Sequence, residues 1–140
     1  MELETALDYA ATRRNATLIT LRKDGRAQSS DIAFTVRDGQ ILISVTANRA
    51  KTKNIVRDPR VVLHISDPAG YTYLSFDCTA EVSAVASDPS DPVVDELVAI
   101  YRAIAKDEHS DWDEFRQAMI EEGRVVLTLT PDAVVGMINS

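Results

Sequence analysis

The chain has 140 residues, of which 45% are hydrophobic and 26% charged, and it carries a formal net charge of −7. With 37 Val, Ile, Leu and Phe residues it is not expected to be intrinsically disordered, and its length predicts one compact domain over residues 1–140. The sequence lacks an apolar run long enough to span a membrane, a basic signal-peptide segment and a second cysteine, so we expect a cytoplasmic protein that does not bind membranes. Because the chain is acidic overall, we also expect that it does not bind nucleic acid.

The N-terminal third predicts a helix followed by strands. Apolar residues at helical spacing favour a helix over residues 3–11. Short β-branched runs predict strands over residues 16–21, 27–36 and 40–46. The turns between them contain Asp24-Gly25 and Asp38-Gly39, where glycine supplies the positive φ that a tight hairpin needs. These features predict a three-stranded antiparallel meander.

A cluster of cations then interrupts the strands. Residues 49–60, named here the basic segment, hold five basic residues and one acid, whereas residues 107–122 hold seven acids and one arginine. Residues 50–56 predict a short helix that ends before Asp58-Pro59. The basic segment is interpreted either as a solvated helix face or as the binding site of an anionic partner.

The remaining elements complete a mainly β fold. Strands are predicted over residues 61–66, 71–85 and 125–130, with an extended tail over 133–138. One late helix begins at Asp91-Pro92, and another is capped by residues 110–113. Six mostly consecutive strands without β-α-β alternation predict an antiparallel six-stranded barrel with flanking helices, an α+β protein whose closure removes the sheet edges.

Common catalytic motifs are missing from the sequence. It contains no G-x-S-x-G, H-E-x-x-H, P-loop or G-x-G-x-x-G motif. His64, in an apolar strand, is interpreted as a packed, hydrogen-bonded residue, and His109 as exposed or part of a helix cap. Cys78 is interpreted as a small buried hydrophobe, and no metal site is predicted. No catalytic side chain is assigned, so a bound cofactor would have to supply any reactivity.

The start of the basic segment has the chemistry of a phosphate site. A strand leads into Arg49, Lys51 and Thr52, after which the helix begins. Free N–H groups at a helix start, two cationic side chains and a hydroxyl can together hold a phosphate. The end of a barrel strand would expose such a site at the rim.

The same residues resemble a known superfamily. Residues 46–55 followed by Asp58-Pro59-Arg60 are similar to the split β-barrel flavin and deazaflavin proteins of the pyridoxamine-phosphate-oxidase-like superfamily. The similarity is greatest to the branch that uses coenzyme F420, a deazaflavin. Further matching pieces lie at residues 24–28, Tyr71-x-Tyr73, 101–104 and 109–119.

The resemblance implies a homodimer with cofactor grooves between the subunits. The residues implied to bind the cofactor phosphate are Arg49, Ala50, Lys51 and Thr52, and those implied to flank the ribityl chain are Ser44, Val45 and Thr46. The residues implied to line the ring are Gln28, Ser30 and Asp31. Two tyrosines are implied to reach the groove from the other subunit, Tyr71 and Tyr73. An acid at Asp31, where related sequences carry an uncharged amide, would change the electronics of the ring or the substrate preference.

The function expected from this resemblance is hydride transfer from reduced deazaflavin to a small electron-poor organic acceptor. One alternative is an FMN-dependent oxidase of the pyridoxamine-phosphate type, although no arginine follows Arg124 in the position of an arginine-rich substrate segment. Another alternative is a non-catalytic carrier or sensor of flavin, deazaflavin or tetrapyrrole. All three share one cofactor groove, so the sequence leaves them open.

Overall fold

A computed structural model describes residues 1–139. The strands are β1 (Asn15–Leu21), β2 (Ala27–Ala33), β3 (Thr35–Arg37), β4 (Gln40–Thr46), β5 (Arg60–Asp67), β6 (Thr72–Val82) and β7 (Arg124–Met137). The helices are α1 (Leu3–Ala10), α2 (Ala50–Arg57), α3 (Pro92–Ala105) and α4 (Trp112–Glu121), with a 3₁₀ turn at Pro68–Gly70.

All seven strands belong to one antiparallel sheet in the order β2-β1-β5-β6-β7-β4-β3. The mainly β class with flanking helices is confirmed, but the predicted count of six strands is wrong. Residues 27–36 form two strands because the buried Phe34 breaks the run, and its N–H donates to the Arg14 carbonyl at 2.9 Å. The sheet is curled into a half-barrel, since β2 and β3 lie at opposite edges and one residue joins them.

This order also corrects the predicted meander. The two glycine turns do close hairpins, β1–β2 and β3–β4, but the hairpins lie at opposite ends of the sheet. The predicted strand 125–130 and tail 133–138 are one strand, β7. A β-bulge makes this continuity possible. Cys78 faces Pro131 and Asp77 faces Ala133, so Asp132 is an extra residue in β7 with no residue opposite it. It lies beside Pro131, which has no N–H to donate to the neighbouring strand.

The hydrophobic residues form two layers. The inward faces of the strands and α1 enclose one core, which includes Leu18, Ile43, Leu63, Phe76 and Leu127. Helices α3 and α4 pack on the outer face of β4 and β7 through a second cluster, which includes Leu42, Val126, Leu97, Ile100 and Phe115. The sheet therefore lies between its own interior and a helical pair, and the space beside that pair holds the candidate site.

The capping residues predict the starts of the two late helices. Asp111 caps α4 as predicted, with its carboxylate accepting from the Glu114 N–H at 3.1 Å. Asp91 precedes Pro92 at the start of α3, but its carboxylate accepts from the Ser87 and Asp88 amides in the preceding loop. Over residues 1–139, we find no helix long and apolar enough to span a membrane.

Candidate functional site

A cavity of about 590 Å³ opens between the outer face of the sheet and helices α3 and α4. Side chains alternate along a strand, so Ile41 and Ile43 of β4 enter the inner core while Ser44 and Thr46 are only half-buried. Asp31 of β2 borders the same cavity. One side of the cavity is therefore polar and comes from strand ends.

The opposite side of the cavity is apolar. It is formed by side chains from one face of α3 and one of α4, namely Leu97, Ile100, Tyr101, Ile104, Phe115 and Met119. The Tyr101 ring packs edge-on against Trp112 and Phe115, with ring centroids 5.7 and 5.1 Å apart. A wall of this kind suits a flat, largely apolar ligand, because the rigid aromatic edges limit the width of the slot.

Three cations meet at one end of the cavity. Arg49 and Lys51 come from the start of α2, and Arg124 lies opposite Thr46 in the pairing of β4 with β7. Partial burial, together with the charges of Arg49 and Arg124, lowers the pKa of Lys51 below its ordinary value of 10.5. Arg124 also forms a 2.9 Å ion pair with Glu122. Among the described residues, Arg49 and Lys51 form no ion pair, so this end of the cavity favours an anion.

The start of α2 adds backbone donors to the same end. The N-cap residue Arg49 is extended and gives no side-chain cap, so the amides of Ala50, Lys51 and Thr52 have no capping acceptor within residues 1–139. The Thr52 hydroxyl donates to the Thr46 carbonyl at 2.8 Å, which joins the first turn of α2 to the end of β4. The Thr46 hydroxyl is itself buried without a hydrogen-bond partner in residues 1–139.

A buried asparagine fixes the other end of α2. The Asn54 amide donates to the Thr20 hydroxyl and to the Gln28 side-chain carbonyl, both at 3.0 Å, and its carbonyl accepts from Arg57 at 2.7 Å. These bonds attach α2 to β1 and β2. The cationic first turn is thereby held rigidly against the sheet.

The cavity brings together half of the predicted site residues. The residues that line it are Asp31, Ser44, Val45, Thr46, Arg49 and Lys51, with Ala50 and Thr52 beside them in the first turn of α2. Gln28 and Ser30 lie on the other face of β2: Gln28 binds Asn54, and the Ser30 hydroxyl is buried without a partner among residues 1–139.

The two predicted tyrosines lie outside this cavity. Tyr71 follows the 3₁₀ turn with a positive φ of 56° and is 78% exposed, and Tyr73 on β6 is 42% exposed. Val135 and Met137 of β7 are also exposed beside them. Since Met137 faces Tyr73 across the β6–β7 ladder and Val135 lies two residues before Met137, these three side chains form one apolar patch on the outer sheet surface.

Sequence reasoning missed Arg124 and the helical wall. Arg124 enters the site only because β4 pairs with β7, a long-range choice with no local sequence marker. Other cations of the basic segment lie elsewhere: Arg60 binds Asp58 through two nitrogens, and Arg57 binds Asn54. The bidentate guanidinium of Arg60 lowers the pKa of Asp58 to about 2. The segment is thus divided between an anion site and structural contacts.

His64 also differs from its interpretation. It is only half-buried, and its ring forms no hydrogen bond within the described part of the chain. His64 lines a second cavity on the outer face of β1, β2 and β5.

The His109 Nδ1 accepts from the Asp111 N–H at 2.9 Å, in the predicted cap. Burial raises the pKa of the Cys78 thiol to about 12, as befits a small buried hydrophobe.

Comparison with known proteins agrees with this architecture. The sequence model of the pyridoxamine 5'-phosphate oxidase family matches residues 3–137. The chain belongs to this family. Among solved structures, the conserved hypothetical protein Rv2991 from Mycobacterium tuberculosis is 22% identical with a TM-score of 0.76, over 97% of this chain and 84% of that one.

Two further structures share the fold. An F420 reductase is 21% identical with a TM-score of 0.67, over 91% of this chain and 94% of that one. A heme binding protein from Mycobacterium smegmatis is 20% identical with a TM-score of 0.71, over 96% of this chain and 53% of that one. Because structures with this fold bind different groups, the assignment of a ligand depends on the side chains of the cavity.

Proposed function

We propose that the chain is an F420-dependent oxidoreductase that transfers hydride to a small electron-poor organic acceptor. The observation that carries this proposal is the shape and charge of one cavity, with Arg49, Lys51 and Arg124 at one end and an apolar slot along its side. A flavin-type cofactor has the matching form, an anionic tail joined to a flat ring. The protein carries −7 overall, so a local cationic end offsets the long-range repulsion of such a ligand.

The residues present suit this cofactor. The buried hydroxyl of Thr46 has no partner in residues 1–139, and the uncapped amides of α2 lie at the cationic end. Buried polar groups are nearly always hydrogen-bonded, so an acceptor at this end would satisfy both features. The volume of about 590 Å³ also lies within the usual range for sites that enclose a cofactor or a drug-sized molecule.

Each group of side chains has a role in this proposal. Arg49, Lys51 and Arg124 bind the phosphate, helped by the amides of Ala50 and Thr52. Ser44, Val45 and Thr46 flank the ribityl chain, and Asp31 borders the ring. The bound deazaflavin supplies the hydride. The protein positions the acceptor and, through the apolar wall from α3 and α4, excludes water.

Deazaflavin is preferred over FMN because of the residues that resemble the F420 branch, at 46–55, 71–73, 101–104 and 109–119. The fold shared with an F420 reductase is compatible with this choice. FMN would use the same phosphate site and the same slot. A direct comparison of the two cofactors therefore tests the choice.

A second copy of the chain is the proposed partner. Tyr73, Val135 and Met137 form an exposed apolar patch on the outer face of the sheet, and the exposed Tyr71 lies two residues before Tyr73. Contiguous apolar patches of this kind commonly mark association surfaces. In a homodimer, Tyr71 and Tyr73 would reach the cofactor groove of the other subunit, which gives these two exposed side chains a role.

The experiment is a titration of the purified protein with F420 and with FMN at low and at high salt. We expect F420 to bind more tightly than FMN and its affinity to fall with salt, since exposed charges are screened. Reduced F420 should then be oxidised by members of a panel of quinones, enones and tetrapyrroles.

The alternatives give different results. A yellow protein that binds FMN more tightly would support the oxidase. F420 binding without oxidation of its reduced form by any panel member would support the carrier or sensor. Lys51→Ala should weaken F420 binding by about 2–3 kcal/mol because it leaves a desolvated phosphate unpaired.

A further inference from the structure

We propose that the second cavity is the acceptor site and that His64 donates the proton that accompanies hydride transfer. This inference rests on the proposed function. The second cavity, of about 560 Å³, is lined by residues of β1, β2 and β5, among them Thr17, Asp31 and His64. It shares Asp31, Ile32 and Ala33 with the first cavity. A ligand bound in the first cavity would therefore lie at the border of the second cavity.

Strand register places the polar groups of this cavity in one row. Thr17 of β1 lies directly opposite Asp31 on β2 and opposite His64 on β5. Neighbouring strands lie about 4.8 Å apart, so the row from Asp31 to His64 spans roughly 10 Å. That length accommodates one ring of an organic acceptor between the edge of the first cavity and the imidazole.

His64 has the properties of a group that can donate a proton here. It is half-buried, it has no hydrogen-bond partner in residues 1–139, and its ring stacks on Tyr73 with centroids 6.0 Å apart and an interplanar angle of 27°. A structural histidine normally has a partner for at least one ring nitrogen, whereas both nitrogens of His64 are available. Histidine also changes charge near neutral pH, as a proton donor must.

The charged and titratable groups near His64 are few. Strand β6 contributes Tyr73 and, beyond the facing Ser75, Asp77. Strand β1 contributes Thr17, which does not titrate, and β2 contributes Asp31 across the cavity. On its own strand, Asp67 is engaged by Arg13 at 2.8 Å. The acids Asp31 and Asp77 disfavour an anionic acceptor, which points to a neutral conjugated carbonyl compound.

The step balances in atoms and electrons. The acceptor receives a hydride from reduced deazaflavin at the carbon β to its carbonyl, so its C=C π bond breaks and an enolate forms. The enolate then takes a proton from the imidazolium of His64, giving a saturated carbonyl compound. This removes two electrons from the cofactor, whose reduced ring also releases one proton to solvent, and His64 regains one proton from solvent.

The test uses the protein with its only two histidines, His64 and His109. Their ring resonances are followed by NMR in protein loaded with oxidised F420, which cannot reduce an acceptor, and the His109→Gln variant assigns them. Added 2-cyclohexenone, a neutral conjugated enone, should shift the His64 resonances and leave those of His109 in place. Unshifted His64 resonances at saturating 2-cyclohexenone would overturn the proposal.

A variant separates the proton-donor role from cofactor binding. His64→Gln should keep F420 affinity within about two-fold of wild type, because His64 does not line the first cavity. Oxidation of reduced F420 by 2-cyclohexenone should fall by roughly 10² or more, and its pH profile should change. An unchanged rate and pH profile would contradict the proposal. Failure of wild type to bind F420 would instead overturn the proposed function, and this inference with it.

Discussion

The hydroxyl of Thr52 donates to the backbone carbonyl of Thr46, and this 2.8 Å bond holds the first turn of α2 against the end of β4. The bond uses the Thr52 hydroxyl for positioning and leaves its amide without a capping acceptor within residues 1–139. A local contact thus orients the proposed phosphate site.

Replacement of Thr52 by valine tests this contact. Thr52→Val keeps the side-chain shape but leaves the Thr46 carbonyl without its donor, so we expect a loss of about 1 kcal/mol in the free energy of unfolding and a few-fold weaker F420 binding. Thr52→Ser is the matched control and should retain both values. Equal behaviour of the two variants in chemical denaturation and in F420 titration would contradict this role.

Asn54 provides the second prediction. Asn54→Ala removes the bonds to Thr20, Gln28 and Arg57 and leaves buried polar atoms unpaired, so we expect about 2–3 kcal/mol lower stability. The exposed neighbour Lys53 offers a control, and Lys53→Ala should change stability by less than about 0.5 kcal/mol. Urea denaturation measures both, and a small effect of Asn54→Ala would show that α2 is held by other contacts.

Lys51 is predicted to favour binding at the expense of stability. Its pKa is lowered in the folded protein, so the unfolded chain binds more protons between that lowered pKa and 10.5, and stability should rise with pH across this interval. Lys51→Met removes the partly buried charge of Lys51 and its repulsion with Arg49 and Arg124. At neutral pH the ligand-free variant should therefore melt at a higher temperature than wild type, and its stability should not rise with pH across that interval.

The same variant should lose affinity for F420, so that added cofactor raises its Tm less than that of wild type. Thermal denaturation with and without F420 at neutral and alkaline pH measures both effects. A variant with a lower Tm in the ligand-free state would show that Lys51 stabilises the fold, contrary to this account.

Gly136 supplies a prediction about the fold itself. Its φ is +144°, and a Cβ there would lie 2.2 Å from the Tyr73 carbonyl oxygen, inside van der Waals contact. Gly136→Ala should cost at least about 1–3 kcal/mol through backbone strain and separation of β6 from β7. Gly25→Ala, also at positive φ but facing open space, should cost about 1–2 kcal/mol or less. Equal denaturation midpoints for the two would contradict the close contact.

Sequence patterns predict the features that depend on neighbouring residues. Arg49 and Lys51 are close to Thr46 along the chain, and a strand leading into a helix brings them to one rim. Arg124 could not be found in this way, because it reaches the site through the pairing of β4 with β7. The interpretation of His64 as a packed, hydrogen-bonded residue is wrong because β5 alternates between a buried face and a more accessible one, and His64 lies on the second.

The strand period explains another discrepancy. Gln28 and Ser30 are two residues apart and share one face of β2, whereas Asp31 occupies the other face. One ring against one face of this strand cannot contact all three side chains. The alternation along β2 is sufficient to separate Asp31 from the other two, and the Asn54 contact then assigns Gln28 to the interior side.

The central claim is that the cationic end of the first cavity binds the anionic part of a redox cofactor. Its most direct test is the dissociation constant of F420, measured by fluorescence titration on wild type, Arg124→Gln and Arg60→Gln. The Arg124 variant should bind F420 about ten-fold or more weakly, because it loses a charge-assisted contact. Arg60→Gln, which removes a cation bound to Asp58 outside the cavity, should match wild type. Equal dissociation constants for the wild type and the Arg124 variant would contradict the claim.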